Sequence, residues 1–336
     1  MYAISAQGLT KSFDGVRAVD GITLNVECGE IYGLVGKNGA GKSTLLKMIA
    51  GLTVPASGQV EVFGWDVLAQ GRSLSLEPSG IGALIESPGL LERYSAMENL
   101  MAKALALGVV DARAQCQELL GLVGLGDSGD KACRHFSLGM KQRLAIALSL
   151  VGNPGVLLLD EPFNGLDPDT TRHLRRTLVA LAKERGLTIM ISSHVLDQLD
   201  RMVTRFGVIS SGRLVREISA ERLHEACTSA VRVVCEDSSR ALAVLEQRLP
   251  RVRIHAEPDG AIVLSAAAGE RNAPSCFGGS AAPASSGVPT TREVSRILRE
   301  AGQDVVELSP VERDIEDYFV DLMDTSHDAC VVESGR

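Results

Sequence analysis

Short, continuous apolar runs recur along the first two thirds of the chain, and each is followed by glycine or by polar residues. They lie at Ile31–Val35 and within residues 155–162 and 187–194. A strand that is buried on both faces gives such a run, because neither face carries a regular set of polar residues. The pattern therefore predicts an α/β domain with an open parallel sheet.

A helical period replaces these runs between residues 87 and 151. The stretch SAMENLMAKALALG begins with Ser95 and has Glu98 at capping-box spacing, and ARAQCQELLGLVGL follows it. The stretch FSLGMKQRLAIALSL, residues 136–150, begins with Ser137 as a candidate N-cap. Its apolar residues share one predicted face at 3.6-residue spacing: Met140, Leu144, Ala147, Leu148 and Val151. We therefore predict a helical subdomain over about 87–151.

The C-terminal third shows a different order of elements. Residues 207–219 indicate two strands joined by a turn, and 229–265 indicate strand, helix, strand and strand. Residues 268–291 are rich in Gly, Ala, Ser and Pro, which predicts a flexible loop, before a helix at 292–302 and a strand at 303–309. A helical apolar stripe is predicted to pack in a core: Val311, Ile315, Tyr318, Phe319 and Leu322. The predicted domains are 1–218 and a small α+β domain at 219–336.

Composition narrows the possible partners. The chain of 336 residues is 45% hydrophobic and carries a formal charge of -8, which argues against a nucleic acid as its main partner. Its seven cysteines are scattered and form no CxxC pair, so we expect neither a disulfide framework nor a zinc site. A reducing compartment is the expected location of such a chain.

Membrane and export signals are not expected either. The most apolar stretch, 144–159, is broken by a Gly-Asn-Pro-Gly sequence, and the first residues lack a basic segment followed by an apolar one. Any action at a membrane is therefore expected to need a separate membrane-spanning subunit.

The strongest local signal is IYGLVGKNGAGKST, residues 31–44. Gly36, Gly41, Lys42 and Ser43 fit G-x-x-x-x-G-K-[ST] between a predicted strand and a predicted helix, the context that a P-loop requires. Backbone N–H groups of such a loop surround phosphates, the lysine reaches the terminal phosphates, and the serine hydroxyl binds Mg²⁺. The sequence thus predicts nucleotide binding here.

Two carboxylates follow the second run, at Asp160 and Glu161. Ligands of open α/β sheets lie beyond the carboxyl ends of the strands, so both residues are predicted to lie beside the P-loop. Neighbouring side chains of a strand point to opposite sides. We therefore assign Asp160 to the metal and Glu161 to the general base; the alternative is a pair of solvated acids in a turn.

His194 ends the third run and is a third polar group at a strand end. A neutral imidazole there could bind the terminal phosphate or position the attacking water. The alternative is a structural histidine, which is the commoner role for an isolated one.

The helix that begins after Ser137 offers a second phosphate-binding end. Gly139 in its first turn is unfavourable in a helix unless a backbone N–H must approach a ligand closely, and Lys141 and Arg143 lie nearby in sequence. One nucleotide already has its phosphates enclosed by residues 36–44. The simplest solution is that Ser137 and Gly139 meet a nucleotide held by another subunit.

The order of these motifs over residues 1 to about 215 resembles that of the ATP-binding subunit of ABC transporters. Gly36–Thr44 resembles the Walker A motif, SLGMKQRL at 137–144 the signature, VLLLDE at 156–161 Walker B, NGLDP at 164–168 the D-loop, and His194 the switch histidine. The resemblance implies a P-loop ABC-type ATPase with a RecA-like core, a helical subdomain and a small α+β accessory domain. It also implies a head-to-tail dimer in which each signature closes over the partner's ATP.

The resemblance further assigns individual roles. Phe13 matches the aromatic residue that stacks on adenine, although a core Phe on an edge strand is the alternative. Glu86 stands where most members have a glutamine that contacts Mg²⁺; the alternative is an exposed Glu before a proline turn. The implied nucleotide contacts are Phe13, Gly36, Lys37, Asn38, Gly39, Ala40, Gly41, Lys42, Ser43, Thr44, Glu86, Ser137, Gly139 and Asp167. The implied Mg²⁺ ligands are Ser43, Asp160 and Glu86.

Both Glu86 and the Ser-Leu-Gly-Met signature resemble the bacitracin and lantibiotic self-protection branch of bacterial exporters. This implies an ATPase, a homodimer or a pair with a second ATP-binding subunit, and an integral membrane permease as partner. The expected location is the cytoplasmic face of the cell membrane, and the expected cargo is a peptide antibiotic or a drug. The alternative is an ABC-type regulator of translation or DNA, but its usual second cassette, basic linker or coiled-coil insertion is not found in the sequence.

Overall fold

The structure is a computed structural model. It describes residues 1–68, 80–86, 89–250, 252–257, 260–266, 288–312, 315 and 319. The chain divides into two compact units, one of residues 1–220 with Phe319 and one within residues 221–318. In the part of the chain so described, no helix has the length and apolar character that a bilayer crossing requires.

A six-stranded sheet forms the centre of the first unit, with the strand order β10-β9-β3-β8-β7-β6. Its strands are β3 (Ile31–Val35), β6 (Ile81–Leu84), β7 (Val156–Asp160), β8 (Thr188–Ser193), β9 (Arg205–Ser210) and β10 (Arg213–Ser219). All neighbours are parallel except the β9–β10 pair, which is antiparallel. Strands β3, β7 and β8 are buried along their whole length, as their continuous apolar runs require. The predicted parallel sheet is confirmed.

A second, antiparallel sheet has the order β2-β1-β4-β5. Its strands are β1 (Tyr2–Phe13), β2 (Val16–Glu27), β4 (Ser57–Val62) and β5 (Trp65–Asp66). Helix α1 (Lys42–Ile49) packs its buried side chains Leu45, Leu46 and Met48 into the same core as residues of both sheets. The helix that begins at the P-loop is therefore fixed between two sheets.

Three α-helices lie in the segment between β6 and β7: α2 (Ala96–Ala106), α3 (Ala112–Leu122) and α4 (Leu138–Leu150). The predicted capping box of α2 is confirmed, because Ser95 and Glu98 exchange side-chain-to-backbone hydrogen bonds. Ser137 caps α4, accepting a hydrogen bond from the backbone N–H of Met140 at 3.2 Å. Helix α5 (Pro168–Arg185) follows β7 and precedes β8.

The expectation that α4 has a single apolar face is wrong. Gln142, Ala145, Ile146 and Ser149 are buried as well as Leu144. The physical reason is that α4 contacts β6, α2 and α3, so it is covered on several sides. A helix enclosed in this way carries no clear amphipathic period.

The second unit has the element order βαββαβ, preceded by α6 (Ala220–Cys227). Its elements are β11 (Thr228–Cys235), α7 (Ser238–Arg248), β12 (Val252–Ala256), β13 (Ile262–Ala266), α8 (Thr291–Glu300) and β14 (Val305–Glu312). The sheet order is β12-β13-β11-β14 with every neighbour antiparallel, which is the ferredoxin-like arrangement. One core joins Val231 and Val233 to Leu245 and Leu298 of the two helices.

Two expectations for this region change. Val311 lies in strand β14 rather than in a helix, because the strand continues past the predicted end at Ser309. Phe319 is fully buried, as a core residue should be, but its ring contacts Phe206 of the first unit, with the ring centroids 5.8 Å apart. Tyr318 and Leu322, and most of the predicted loop 268–291, lie outside the described residues.

Candidate active site

Four adjacent strands of the central sheet place polar residues at one edge. In the order β3, β8, β7 and β6, they are followed by the P-loop, His194, Glu161 and Glu86. The sequence predicted that these carboxyl ends share an edge, but not that β8 lies between β3 and β7. His194 therefore follows β8, which lies between β3, the strand before the P-loop, and β7, the strand of the two carboxylates.

The P-loop is shaped by contacts that exclude side chains. A Cβ atom at Gly36 would lie 2.3 Å from the carbonyl oxygen of Ile209, and one at Gly41 would lie 2.2 Å from that of Ala18. Gly41 also has φ +108°, which other residues rarely adopt. The loop thus approaches β9 and β2 closely. Its outer rim at Lys37, Asn38 and Gly39 is exposed to solvent.

Lys42 lies at the centre of this loop and is only 5% exposed. Its Nζ donates hydrogen bonds to the carbonyl oxygens of Gly36, at 2.7 Å, and Lys37, at 3.3 Å. The loop backbone therefore fixes the ammonium group. Ser43 and Thr44 lie in the first turn of α1, Ala40 is buried, and Ser43 is partly accessible.

Asp160 is 7% exposed, and Oδ1 of its carboxylate accepts a hydrogen bond from the hydroxyl of Ser192 at 2.5 Å. The two residues are directly paired between β7 and β8. Ser192 was not a candidate in the sequence analysis. The apolar run of β8 gave no reason to single out this serine, because the pairing partner of β7 was unknown.

The carboxylate of Glu161 lies between the ammonium group of Lys42 and the imidazole of His194. Its Oε1 is 3.5 Å from Nζ of Lys42, and its Oε2 is 2.8 Å from Nδ1 of His194. A carboxylate only accepts hydrogen bonds, so Nδ1 of His194 carries the proton in this contact. The side chains of the P-loop lysine, Glu161 and the histidine therefore form one connected group.

The backbone of Glu161 constrains its position, and one oxygen of its carboxylate accepts no hydrogen bond from the described residues. Its φ is +48°, and its N–H lies 3.0 Å from the hydroxyl and 3.2 Å from the carbonyl oxygen of Ser192. Oε1 is buried and accepts no hydrogen bond within the described part of the chain. A buried carboxylate oxygen that accepts no hydrogen bond is suited to accept one from a bound water or substrate.

Glu86 follows β6 and forms an ion pair with Lys47, which lies on α1. Its side chain is 64% exposed, and its φ is +66°. No sequence pattern indicated Lys47 as its partner. Binding of Mg²⁺ by Glu86 stays a prediction, and this ion pair would compete with it.

At the N-terminus of α4, Ser137 is exposed and Gly139 is partly exposed. A Cβ at Gly139 would lie 3.4 Å from Leu166 Cδ2, an ordinary contact, so packing within the chain does not require glycine there. Lys141 pairs with Glu92 at 2.9 Å, and Arg143 donates to the carbonyl oxygens of Val123 and Gly124. These two cations are thus engaged within the chain rather than at an anion site.

Phe13 and Asp167 were assigned nucleotide contacts through the resemblance. Phe13 is 50% exposed at the end of β1, with Nζ of Lys11 5.5 Å from its ring centroid, so it is not a core residue. Asp167 caps α5, accepting hydrogen bonds from the hydroxyl and backbone N–H of Thr170 that lower the pKa of its carboxyl. Their nucleotide contacts stay predictions.

A groove of about 300 Å³ lies beside β6 and the helical subdomain. Its walls come from β6, α2, α4 and the loop before α2; they include Ala83, Ile85, Leu91, Asn99, Ala102, Lys103 and Leu148. Nζ of Lys103 donates to the carbonyl oxygen of Leu148 at 2.8 Å, and burial lowers the pKa of this lysine. The groove has a mixed apolar and polar lining, which includes Ile85, the residue before Glu86.

The chain is similar in sequence to ATP-binding proteins of ABC transporters. A family model described as "ABC transporter" matches residues 19–164. The bacitracin transport ATP-binding protein BcrA of Bacillus licheniformis is 35% identical over 320 residues, covering 95% of this chain and 97% of that protein. The lantibiotic transport ATP-binding protein SrtF of Streptococcus pyogenes is 38% identical over 215 residues, covering 64% of this chain and 90% of SrtF.

The fold also matches solved structures. The dimeric bacterial ABC transporter cassette MJ0796 superposes with a TM-score of 0.60 at 26% identity, covering 65% of this chain and 98% of the cassette. The matched part of this chain is about the size of its first compact unit.

Proposed function

The chain belongs to the ATP-binding subunits of ABC transporters, and on this premise we propose that it powers the export of a peptide antibiotic by a separate membrane protein. The observation that carries the ATPase part of the proposal is the contact of Glu161 with both Lys42 and His194. It brings a carboxylate, an ammonium group and an imidazole together beside the ends of neighbouring strands, which supports the proposed roles of these residues.

The arrangement fits hydrolysis of ATP to ADP and phosphate. Lys42 supplies positive charge to the terminal phosphates, and Glu161 accepts the proton of the attacking water. We assign that proton to Oε1, which accepts no hydrogen bond from the described residues, since Oε2 is engaged by His194. His194 fixes the carboxylate through its Nδ1–H and leaves Nε2, the acceptor nitrogen of that tautomer, available to the attacking water.

The residues present also fit Mg²⁺. A hydroxyl at Ser43 and a carboxylate at Asp160 are hard oxygen ligands, which Mg²⁺ prefers, and the ion usually completes its shell with waters and phosphates. When bound, Mg²⁺ would neutralise charge on the phosphate oxygens. Ser192 orients Asp160 for this role.

A second copy would complete the site. The N-terminus of α4 offers backbone N–H groups and the Ser137 hydroxyl at an exposed helix end, where an anion is favoured. A head-to-tail dimer would bring this end to the terminal phosphate bound by the partner. Pairing with a second, related ATP-binding subunit would meet the same requirement.

The groove beside β6 is the proposed docking place of the membrane partner. It lies between the central sheet and the helical subdomain, and Ile85 in its wall directly precedes Glu86, which is joined to α1 through Lys47. Leu91 and Tyr94 expose about half of their surfaces at or near its rim. Such apolar exposure is typical of interaction sites. A subunit that docks there would hold this chain at the cytoplasmic face of the membrane.

The cargo class is proposed from the relatives. BcrA and SrtF are named as bacitracin and lantibiotic transport proteins, and the match to BcrA spans nearly the whole chain, including the second unit. A role in translation or DNA regulation gains no support from them.

The proposal is tested in two stages. Purified protein should hydrolyse ATP in the presence of Mg²⁺, and a Glu161→Gln variant should not. Cells that lack this chain should become more sensitive to bacitracin or to a lantibiotic, and the wild-type gene but not the Glu161→Gln gene should restore resistance. Unchanged sensitivity to both classes in an ATPase-active protein would refute the cargo class alone.

A further inference from the structure

Leu138 is an exposed apolar residue beside a predicted phosphate-binding end. It is the first residue of α4, directly after Ser137, and 62% of its surface is accessible. Packing in the core therefore does not explain why a leucine occupies this position. Its side chain lies against Gly165 in the turn formed by residues 164–166.

This 164–166 turn is closely fitted to Leu138. Gly165 has φ +74°, and a Cβ there would lie 2.5 Å from Cδ2 of Leu138, so the leucine occupies the space beside the glycine. Leu166 lies 3.4 Å from the Cβ position of Gly139. Two residues of the α4 N-terminus thus contact two residues of the turn.

The same turn is joined to Glu161. The N–H of Asn164 donates to the carbonyl oxygen of Glu161, and that of Leu166 donates to Phe163, each at 3.2 Å. Phe163 is buried, and Asp167 caps α5 directly after the turn. The turn therefore has little freedom to move independently of Glu161.

We propose that Leu138 is a positioning residue that transmits the position of the α4 N-terminus to Glu161 of the same chain through the 164–166 turn. The inference rests on the proposed function. In a head-to-tail dimer, Ser137 meets the partner's nucleotide, while Glu161 acts on the nucleotide of its own P-loop. Leu138 thus makes hydrolysis at one site depend on occupancy of the other.

The test is a comparison of steady-state ATPase kinetics in the full-length protein. Leu138→Ala keeps a good helix former but removes the contact, and we expect kcat to fall about tenfold, the KM for ATP to change less than about twofold, and the Hill coefficient to approach 1. Leu138→Met should restore most of kcat because it refills the space. Leu105→Ala removes an equally exposed helical leucine, 66% accessible, and should match the wild type.

A double-mutant cycle gives a second readout. Gly165→Ala should lower kcat, because the new Cβ meets Leu138, and Leu138→Ala in that background should cost less than it does alone. Wild-type kcat and Hill coefficient in Leu138→Ala, or strictly additive effects in the cycle, would overturn the inference while the ATPase function stands. A wild-type protein that hydrolyses no ATP would overturn both.

Discussion

Nδ1 of His194 lies 2.8 Å from Oε2 of Glu161, and this contact joins the ends of two neighbouring strands, β8 and β7. It orients the carboxylate so that its other oxygen is turned toward Lys42. We propose Glu161 as the general base, and these two contacts fix its carboxylate. Such preorganisation is a main source of catalytic power because no reorganisation is needed during the reaction.

Glu161→Gln should abolish turnover while ATP still binds. The amide keeps the shape of the side chain but cannot accept the proton of water, so we expect kcat to fall by about 10² to 10⁴. Single-turnover kinetics and equilibrium ATP binding measure the two effects separately. An unchanged hydrolysis rate would remove Glu161 from the role of base.

His194→Ala should reduce kcat with a small effect on ATP affinity. The variant frees Oε2 of Glu161 and loses the orientation of the carboxylate, and we expect a loss of about 10². His173→Ala is a matched control, because its imidazole lies 3.3 Å from the carbonyl oxygen of Leu122, outside the site. Equal kcat values in the two variants would show that His194 has only a structural role.

Lys47→Gln should lower the Mg²⁺ concentration that gives half-maximal ATPase activity. The ion pair holds Glu86, and its removal frees the carboxylate for the metal. An exposed pair contributes at most about 1 kcal/mol, so the thermal stability should hardly change. In a Glu86→Gln background, Lys47→Gln should have no effect on the Mg²⁺ requirement. The same shift in both backgrounds would exclude a role of Glu86 at the metal.

Ala102→Trp should uncouple the ATPase from transport. A large side chain would fill the groove beside β6 and block a docking element of the membrane partner. We expect resistance of cells to be lost while the isolated subunit hydrolyses ATP at its normal rate. Leu105→Trp, at an exposed position of the same helix that does not line the groove, is the control and should retain resistance. Normal resistance with Ala102→Trp would argue against docking in this groove.

The sequence predicted those parts of the fold that depend on local patterns. Strand β3, the P-loop, the Ser95–Glu98 box and the Ser137 cap each follow from a few neighbouring residues. The proximity of the strand ends also followed, because parallel strands end at one edge of their sheet.

The features that were missed depend on contacts between distant segments. The contact of Ser192 with Asp160 depends on which strand pairs with β7, and that of Lys47 with Glu86 depends on how α1 packs. The closeness of Leu138 to Gly165 likewise depends on tertiary packing. The burial of α4 on several sides removed the period on which its predicted face relied.

The central claim, that each subunit completes its partner's ATP site, is tested most directly by mixing two variants in the Glu161→Gln background. One chain carries Lys42→Ala and the other Ser137→Arg, so a mixed dimer has one doubly altered and one intact shared site. We predict that the mixed dimers retain about one ATP each, while neither variant alone forms an ATP-bound dimer. No retained ATP in the mixture would contradict the shared site.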